Sequence, residues 1–378
     1  MAPLPLVKWT NRPNDLFDKV RSYYSVKTAD KAPLITERTA LLCALLYTVL
    51  YVAPFYLSPT LRSTPLQSRD AGPVIRARVR AVGLTCVACT VITAYVLAIH
   101  GHATVQDVAH LLGAWPMDLR DVVKVLGLVA VLFAGPLYES LVVDGDWRDW
   151  SVSNFKEALF DRWTGYRTYI IAPASEELVF RSLTISVYVV AQVDATRIVF
   201  ITPLVFGLAH IHHLVDFLQS GTPVGRKTPS LNIWVAGIIR SLFQFTYTSL
   251  FGFFAAFVFL RTGNLLACIV AHTFCNWQGI PRFYGRVGQY AEDHRPLNIT
   301  SDIALGKDDD DRDAAVRMGN TLMQDRKQTA GPAAAPTGPQ NLGVGWTAAY
   351  YVLIFAGSYG FYALLWPLTA SQNALAQL

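Results

Sequence analysis

Ile170-Ile171-Ala172-Pro173-Ala174-Ser175-Glu176-Glu177-Leu178-Val179-Phe180-Arg181 is the stretch that decides how the chain is read. With its flanks, about 166–191, it has the length and apolar content of a membrane span, yet it holds two carboxylates and a guanidinium. A charged side chain near the bilayer centre costs about 2.5–3.5 kcal/mol on insertion scales. Charges retained at that cost face a polar interior and mark chemistry or a transport path. Two later apolar stretches bring His210 and His272 to matching depth. An intramembrane active site is the leading expectation.

The rest of the chain agrees with a membrane setting. Of 378 residues, 52% are hydrophobic and 16% charged, and the mean hydropathy is +0.31. Soluble domains carry roughly 25% charged residues. The expected fold class is therefore all-α, a polytopic integral membrane helical bundle of about eight transmembrane helices around an interior polar site. The spans are placed near 39–57, 81–99, 122–142, 166–191, 197–214, 233–260, 263–280 and 345–366. Residues 1–36 form a polar N-terminal lead, amphipathic around Leu16, Val20 and Tyr23, and 37–370 form a single membrane domain. The lead has no long apolar core, so no cleavable signal peptide is expected and the first span acts as the insertion signal.

The loops carry further signals. The 143–165 segment mixes aromatic and charged residues, as a helix lying in the membrane interface does. Residues 306–343, with Asp308–Asp311 and a Pro/Ala-rich run, read as a disordered loop. Most of the 32 Lys and Arg fall in the odd-numbered loops, which places those loops in the cytosol; the basic N-terminal tail argues the other way. Asn298-Ile299-Thr300 then lies on the cytosolic side and is predicted to be unmodified. The five cysteines all fall within predicted spans, so Cys86 and Cys89 are read as packing residues rather than a redox pair. No nucleic-acid partner is expected.

On a helix Glu177 and Arg181 are four apart and share a face, so an ion pair is natural. Glu176 points about 100° away and has no local partner. The asymmetry predicts a structural clamp, Glu177 with Arg181, and a carboxylate at Glu176 available as a base. Pro173 removes a backbone donor one turn earlier and opens or kinks the helix. In the next span Phe206, His210 and His213 share a face, with Gly207 allowing close approach of another helix and His212 pointing elsewhere. In the seventh span His272 and Asn276 are again four apart.

Glu176, His210 and the His272/Asn276 pair all lie towards the odd-loop face. Peptide hydrolysis needs a base for water and donors for the developing oxyanion. Glu176 with His210 supplies the first, and His272 with Asn276 the second. Zinc held by two histidines and a carboxylate is the alternative, although no His-Glu-x-x-His motif is present. There is no Gly-x-Ser-x-Gly elbow and no membrane-embedded aspartate pair.

Glu176-Glu177-x-x-x-Arg181, Phe206-x-x-x-His210 and His272-x-x-x-Asn276, in this order on separate spans, resemble the signatures of the type II CAAX prenyl endopeptidases. These form the Ras-converting enzyme branch of the glutamate intramembrane proteases. The likeness covers about 166–285, the expected catalytic core. It implies removal of the C-terminal tripeptide (aaX) from farnesylated or geranylgeranylated CAAX proteins such as Ras-like GTPases, in the endoplasmic reticulum membrane. It further implies Glu176, His210, His272 and Asn276 as catalytic residues, Glu177, Arg181 and Phe206 as supporting ones, and no cofactor. Arg240 and the pair Arg226 and Lys227 could attract the substrate's C-terminal carboxylate, but ordinary helix-bridging for Arg240 and membrane-flanking for the pair are the expected roles. A transporter or proton relay would predict inverted repeats, and none is visible.

Overall fold

The computed structural model describes residues 33–58, 60–61, 70–101, 103–222, 226, 228–288, 342–376 and 378. The expectations for the lead around Leu16–Tyr23, for Asn298-Ile299-Thr300 and for the 306–343 loop up to residue 341 lie outside the described residues. Every regular element among the described residues is helical.

Helix α1 (Glu37–Val52) starts where the Thr36 hydroxyl accepts the Thr39 N–H at 3.1 Å. It is followed by α2 (Gly72–Gly101), the short α3 (Val105–Leu111) behind a Thr104/Asp107 capping box, and α4 (Leu119–Leu132). The charged stretch lies in α5, a continuous helical run over 163–190. Then come α6 (Ala195–Ala209), α7 (His212–Ser220), α8 (Leu231–Thr262), α9 (Leu265–Gln278) and α10 (Val344–Thr369).

The surface is apolar and the interior carries the polar groups. Leu42, Leu84, Val91, Phe355 and Tyr359 are exposed on α1, α2 and α10, which is stable only against lipid. Helix α5 is the central column: every residue from Val179 to Val190 is buried. Its Ser182 and Ser186 hydroxyls donate to the carbonyls of Leu112 and Leu111 at 2.7 and 2.6 Å, so even its hydroxyls are satisfied. Two π-type turns, Arg167–Ile171 and Leu178–Leu183, flank the α-helical Ala172–Glu177. Pro173 lacks the N–H that a regular α-turn would use, and the wider turns around it re-aim the side chains that follow.

Among the described residues, five helices are long and apolar enough to cross a membrane, or six if one bent pair counts as a single span. The bent pair corresponds to the third expected span. It does not run straight over 122–142: α4 and Ala134–Val143 meet at 81°. Pro136 cannot donate to the carbonyl one turn back. At Gly135 a Cβ would sit 2.6 Å from Ile354 Cγ1, so α10 packs directly into the bend. The fourth and seventh expected spans, α5 and α9, fall outside the count for physical reasons. Helix α5 carries Arg167, Glu176, Glu177 and Arg181. Helix α9 has 14 residues, against about 20 for a full crossing.

The 143–165 segment forms short turns at Asp146–Asp149, Val152–Lys156 and Glu157–Asp161, with Trp147, Trp150, Phe160 and Trp163 exposed. That is the aromatic belt expected at an interface. Gly207 does bring two helices together, since a Cβ there would lie 2.8 Å from both the Phe245 ring and Ser249 Oγ on α8. Gly207→Val is expected to destabilise the protein by about 1–3 kcal/mol through overpacking. Thermal unfolding in detergent measures this, and an unchanged melting temperature would refute the close packing of α6 on α8.

Candidate active site

Three helices deliver the chemistry to one cavity of about 180 Å³, lined among others by Glu176 from α5, by His210 and by His272 and Asn276 from α9. All four expected catalytic residues are thus brought together. Of the supporting residues, Phe206 lines the cavity, whereas Glu177 and Arg181 lie behind its wall with side chains 0% exposed.

The clamp is present and has a third member. Arg181 Nε is 3.1 Å from Glu177 Oε2. The guanidinium carbon sits 4.4 Å from the Phe206 ring centre and 5.9 Å from that of Phe251, so the buried cation is sandwiched between aromatic faces. The other Glu177 oxygen, Oε1, lies 2.8 Å from His272 Nδ1. A carboxylate only accepts, so Nδ1 carries the hydrogen. The opposite ring nitrogen, Nε2, is 3.9 Å from Glu176 Oε2. His272 therefore stands between the two adjacent glutamates, buried beside Phe251 at 4.6 Å between ring centres. Glu176 itself is 18% exposed and belongs to the cavity wall.

His210 caps α6 rather than continuing it. Its Nδ1 donates to the Phe206 carbonyl at 3.0 Å, which fixes the ring and leaves Nε2 as the basic nitrogen. The helical hydrogen-bond ladder is interrupted by a turn at His210–Ile211 and resumes in α7, within the single span Ala195–Gln219. One expectation changes here: His212 does not point elsewhere, but lines the cavity together with His213. The His212 Nδ1 donates to the Ala209 carbonyl at 2.7 Å and its ring lies 5.7 Å from that of Phe55, another lining residue. Asn276 Nδ2 donates to the Thr168 carbonyl at 3.0 Å, and Thr273 to the Tyr169 carbonyl at 2.9 Å. These bonds pin α9 to the first π-type turn of α5. An amide carries two N–H donors, so Asn276 keeps one for the cavity.

Some neighbours were not anticipated. Tyr51 bonds Ser175 at 2.9 Å and packs edge-on against Phe180, giving the cavity an aromatic flank from α1. Arg78 and Arg167 also line it, while Arg240 stacks on Phe217 and does not. Among the described residues, the group close enough to share a metal ion is His212, His213 and Asp216, not the Glu176/His210/His272 set weighed for zinc.

Residues 158–278 match the family described as Type II CAAX prenyl endopeptidase Rce1-like. The "Probable CAAX prenyl protease 2" of Schizosaccharomyces pombe is 32% identical over 247 residues, covering 65% of this chain and 83% of that relative. The human "CAAX prenyl protease 2" is 35% identical over 161 residues, covering 41% of this chain and 45% of the human protein. The Arabidopsis thaliana protein of the same name is 29% identical over 255 residues, 62% and 77% of the two chains. No solved structure matches. A cavity walled by glutamate, two histidines and asparagine from three helices, inside an apolar-surfaced helical protein, meets a relative matched over most of its length: the chain belongs to the type II CAAX prenyl endopeptidase family.

Proposed function

We propose that this protein is an intramembrane endopeptidase that cleaves prenylated CAAX proteins, Ras-like GTPases among them, after the modified cysteine and releases the C-terminal tripeptide. The observation that carries the reading is the convergence of Glu176, His210, His272 and Asn276 on one cavity. Glu176, with the basic nitrogen of His210, takes a proton from water as its oxygen attacks the scissile carbonyl carbon. The tetrahedral oxyanion is met by Asn276 and His272. When the C–N bond breaks, the proton passes to the departing amine.

The bond between His272 Nδ1 and Glu177 gives this scheme a definite order. A neutral ring with its hydrogen on Nδ1 offers a lone pair at Nε2 and cannot donate to an oxyanion. It becomes a donor once a proton reaches Nε2. Glu176, 3.9 Å away, is the group placed to share the proton taken from water. Deprotonation of water and activation of the oxyanion site are then one event, with Glu177 balancing the imidazolium.

The substrate suits the cavity. A prenyl chain partitions into lipid and holds its cysteine at the membrane surface, and Tyr51, Phe55, Phe180 and Phe251 give the cavity an apolar flank. The excess of Lys and Arg in the odd-numbered loops supports a site open to the cytosol, and the family resemblance supports the endoplasmic reticulum as its membrane. The test is release of the tripeptide from a farnesylated Cys-a-a-X peptide by purified protein in detergent, beside Glu176→Gln and with a zinc chelator. Cleavage by wild type only, unaffected by chelator, is expected, with the loss in Glu176→Gln about 100-fold or more. Equal rates in both proteins would remove Glu176 from the mechanism, and loss on chelation would move the chemistry to a metal.

A further inference from the structure

A CAAX substrate brings one formal charge to the site, the carboxylate of its last residue, three residues beyond the scissile bond. That charge enters a cavity whose wall already holds Glu176, and two carboxylates in a poorly solvated space repel each other strongly. A cation is needed at the far end of the tripeptide. Histidines aside, the cations among the described lining residues are Arg78 and Arg167.

Their placement fits. Arg167 and Glu176 lie on the same helix, nine residues apart, about 13 Å along its axis at 1.5 Å per residue. Three extended residues span at most about 10–11 Å, and an arginine side chain covers the remainder. Arg167 precedes Glu176 towards the 143–165 segment. Arg78 lies in the second turn of α2, inside the basic 58–80 stretch that forms the first odd-numbered loop of the sequence reading. Both odd-numbered loops carry the basic excess, so the two guanidiniums mark the same end of the cavity. Each is held in place. Arg78 Nε donates to the Leu61 carbonyl at 2.9 Å, and its guanidinium packs over Phe55. Arg167 pairs with Asp70 in a largely buried contact. Each guanidinium has five N–H donors and a planar fork suited to a carboxylate.

We propose that Arg78 and Arg167 form the subsite for the substrate's terminal carboxylate and so measure the three-residue length of the released peptide; this rests on the endopeptidase reading above. Recognition of a carboxylate, rather than of side chains, would let one site accept tripeptides of different sequence while sparing internal cysteines.

The experiment compares two farnesylated peptides that differ only in ending as the free acid or the amide. Wild type is expected to favour the acid about 10- to 100-fold in kcat/KM, mainly through KM, as charge-assisted bonds of this kind warrant. Arg167→Gln and Arg78→Gln are each expected to shrink that ratio, and the double variant to bring it near one. Arg167→Lys, which keeps charge but loses the fork, is expected to fall between. Wild type that cleaves acid and amide equally would overturn the subsite by itself, whatever the variants do. Arginine variants that retain the full preference would overturn it too. Wild type that cleaves neither peptide would instead sink the endopeptidase reading, and the subsite with it.

Discussion

Arg181→Met is expected to lower stability by about 3–5 kcal/mol, the usual cost of leaving one member of a buried ion pair alone. Neither Arg181 nor Glu177 has any exposed side-chain surface. Removing the cation leaves Glu177 Oε2 facing the Phe206 and Phe251 region, with only Oε1 still held by His272. Replacing both charges at once, Glu177→Gln with Arg181→Met, removes the stranded carboxylate and is expected to recover a substantial part of the loss. Thermal unfolding in one detergent would decide the matter. A single variant that melts with the wild type, or a double variant worse than the sum of the singles, would show that the pair is not the clamp inferred here.

Glu177→Gln alone acts on catalysis as well. Its effect is expected to fall on kcat, by about 100- to 10,000-fold, the range for a general acid–base group held in the wrong state. Glutamine cannot balance an imidazolium at His272, and its amide NH₂ turned towards Nδ1 would favour the opposite tautomer. Glu177 lies behind the cavity wall and does not touch the substrate, so KM is expected to stay within a few-fold of wild type. Tripeptide release measured across substrate concentrations separates the two parameters. A rise in KM at constant kcat would place Glu177 in substrate binding instead.

What was legible in the sequence followed helical spacing. Glu177 and Arg181, and Phe206 and His210, are four residues apart, so the faces they share could be read directly. Gly207 was legible because a missing Cβ has one obvious use on a membrane helix. What escaped was everything that joins distant segments. Glu177 and His272 are 95 residues apart, and no local pattern pairs them. In the sequence Arg78 and Arg167 count only among the charges flanking the odd-numbered loops, while Arg240 lies inside a span. In the structure Arg240 stacks on Phe217, and the flanking charges reach the cavity. The bend at Pro136 was signalled by Gly135-Pro136, but apolarity carried through it and concealed the break. Helical spacing does not foretell the place of His212, because its neighbour Phe55 comes from α1's continuation, far away in sequence.

The position of the charges in α5 also bears on how such a chain comes to be inserted. The helix that carries the chemistry is the one least able to enter lipid by itself, since Glu176, Glu177 and Arg181 each resist the transfer. Arg181 emerges with Glu177 and neutralises it locally. His272 is synthesised only after three more helices, and until α9 arrives one face of α5 remains polar and uncovered. Insertion of α5 is thus a collective step. Its residence in the bilayer is secured by segments made after it, and a chain halted near residue 262 is expected to expose that helix to quality control even though its own sequence is intact.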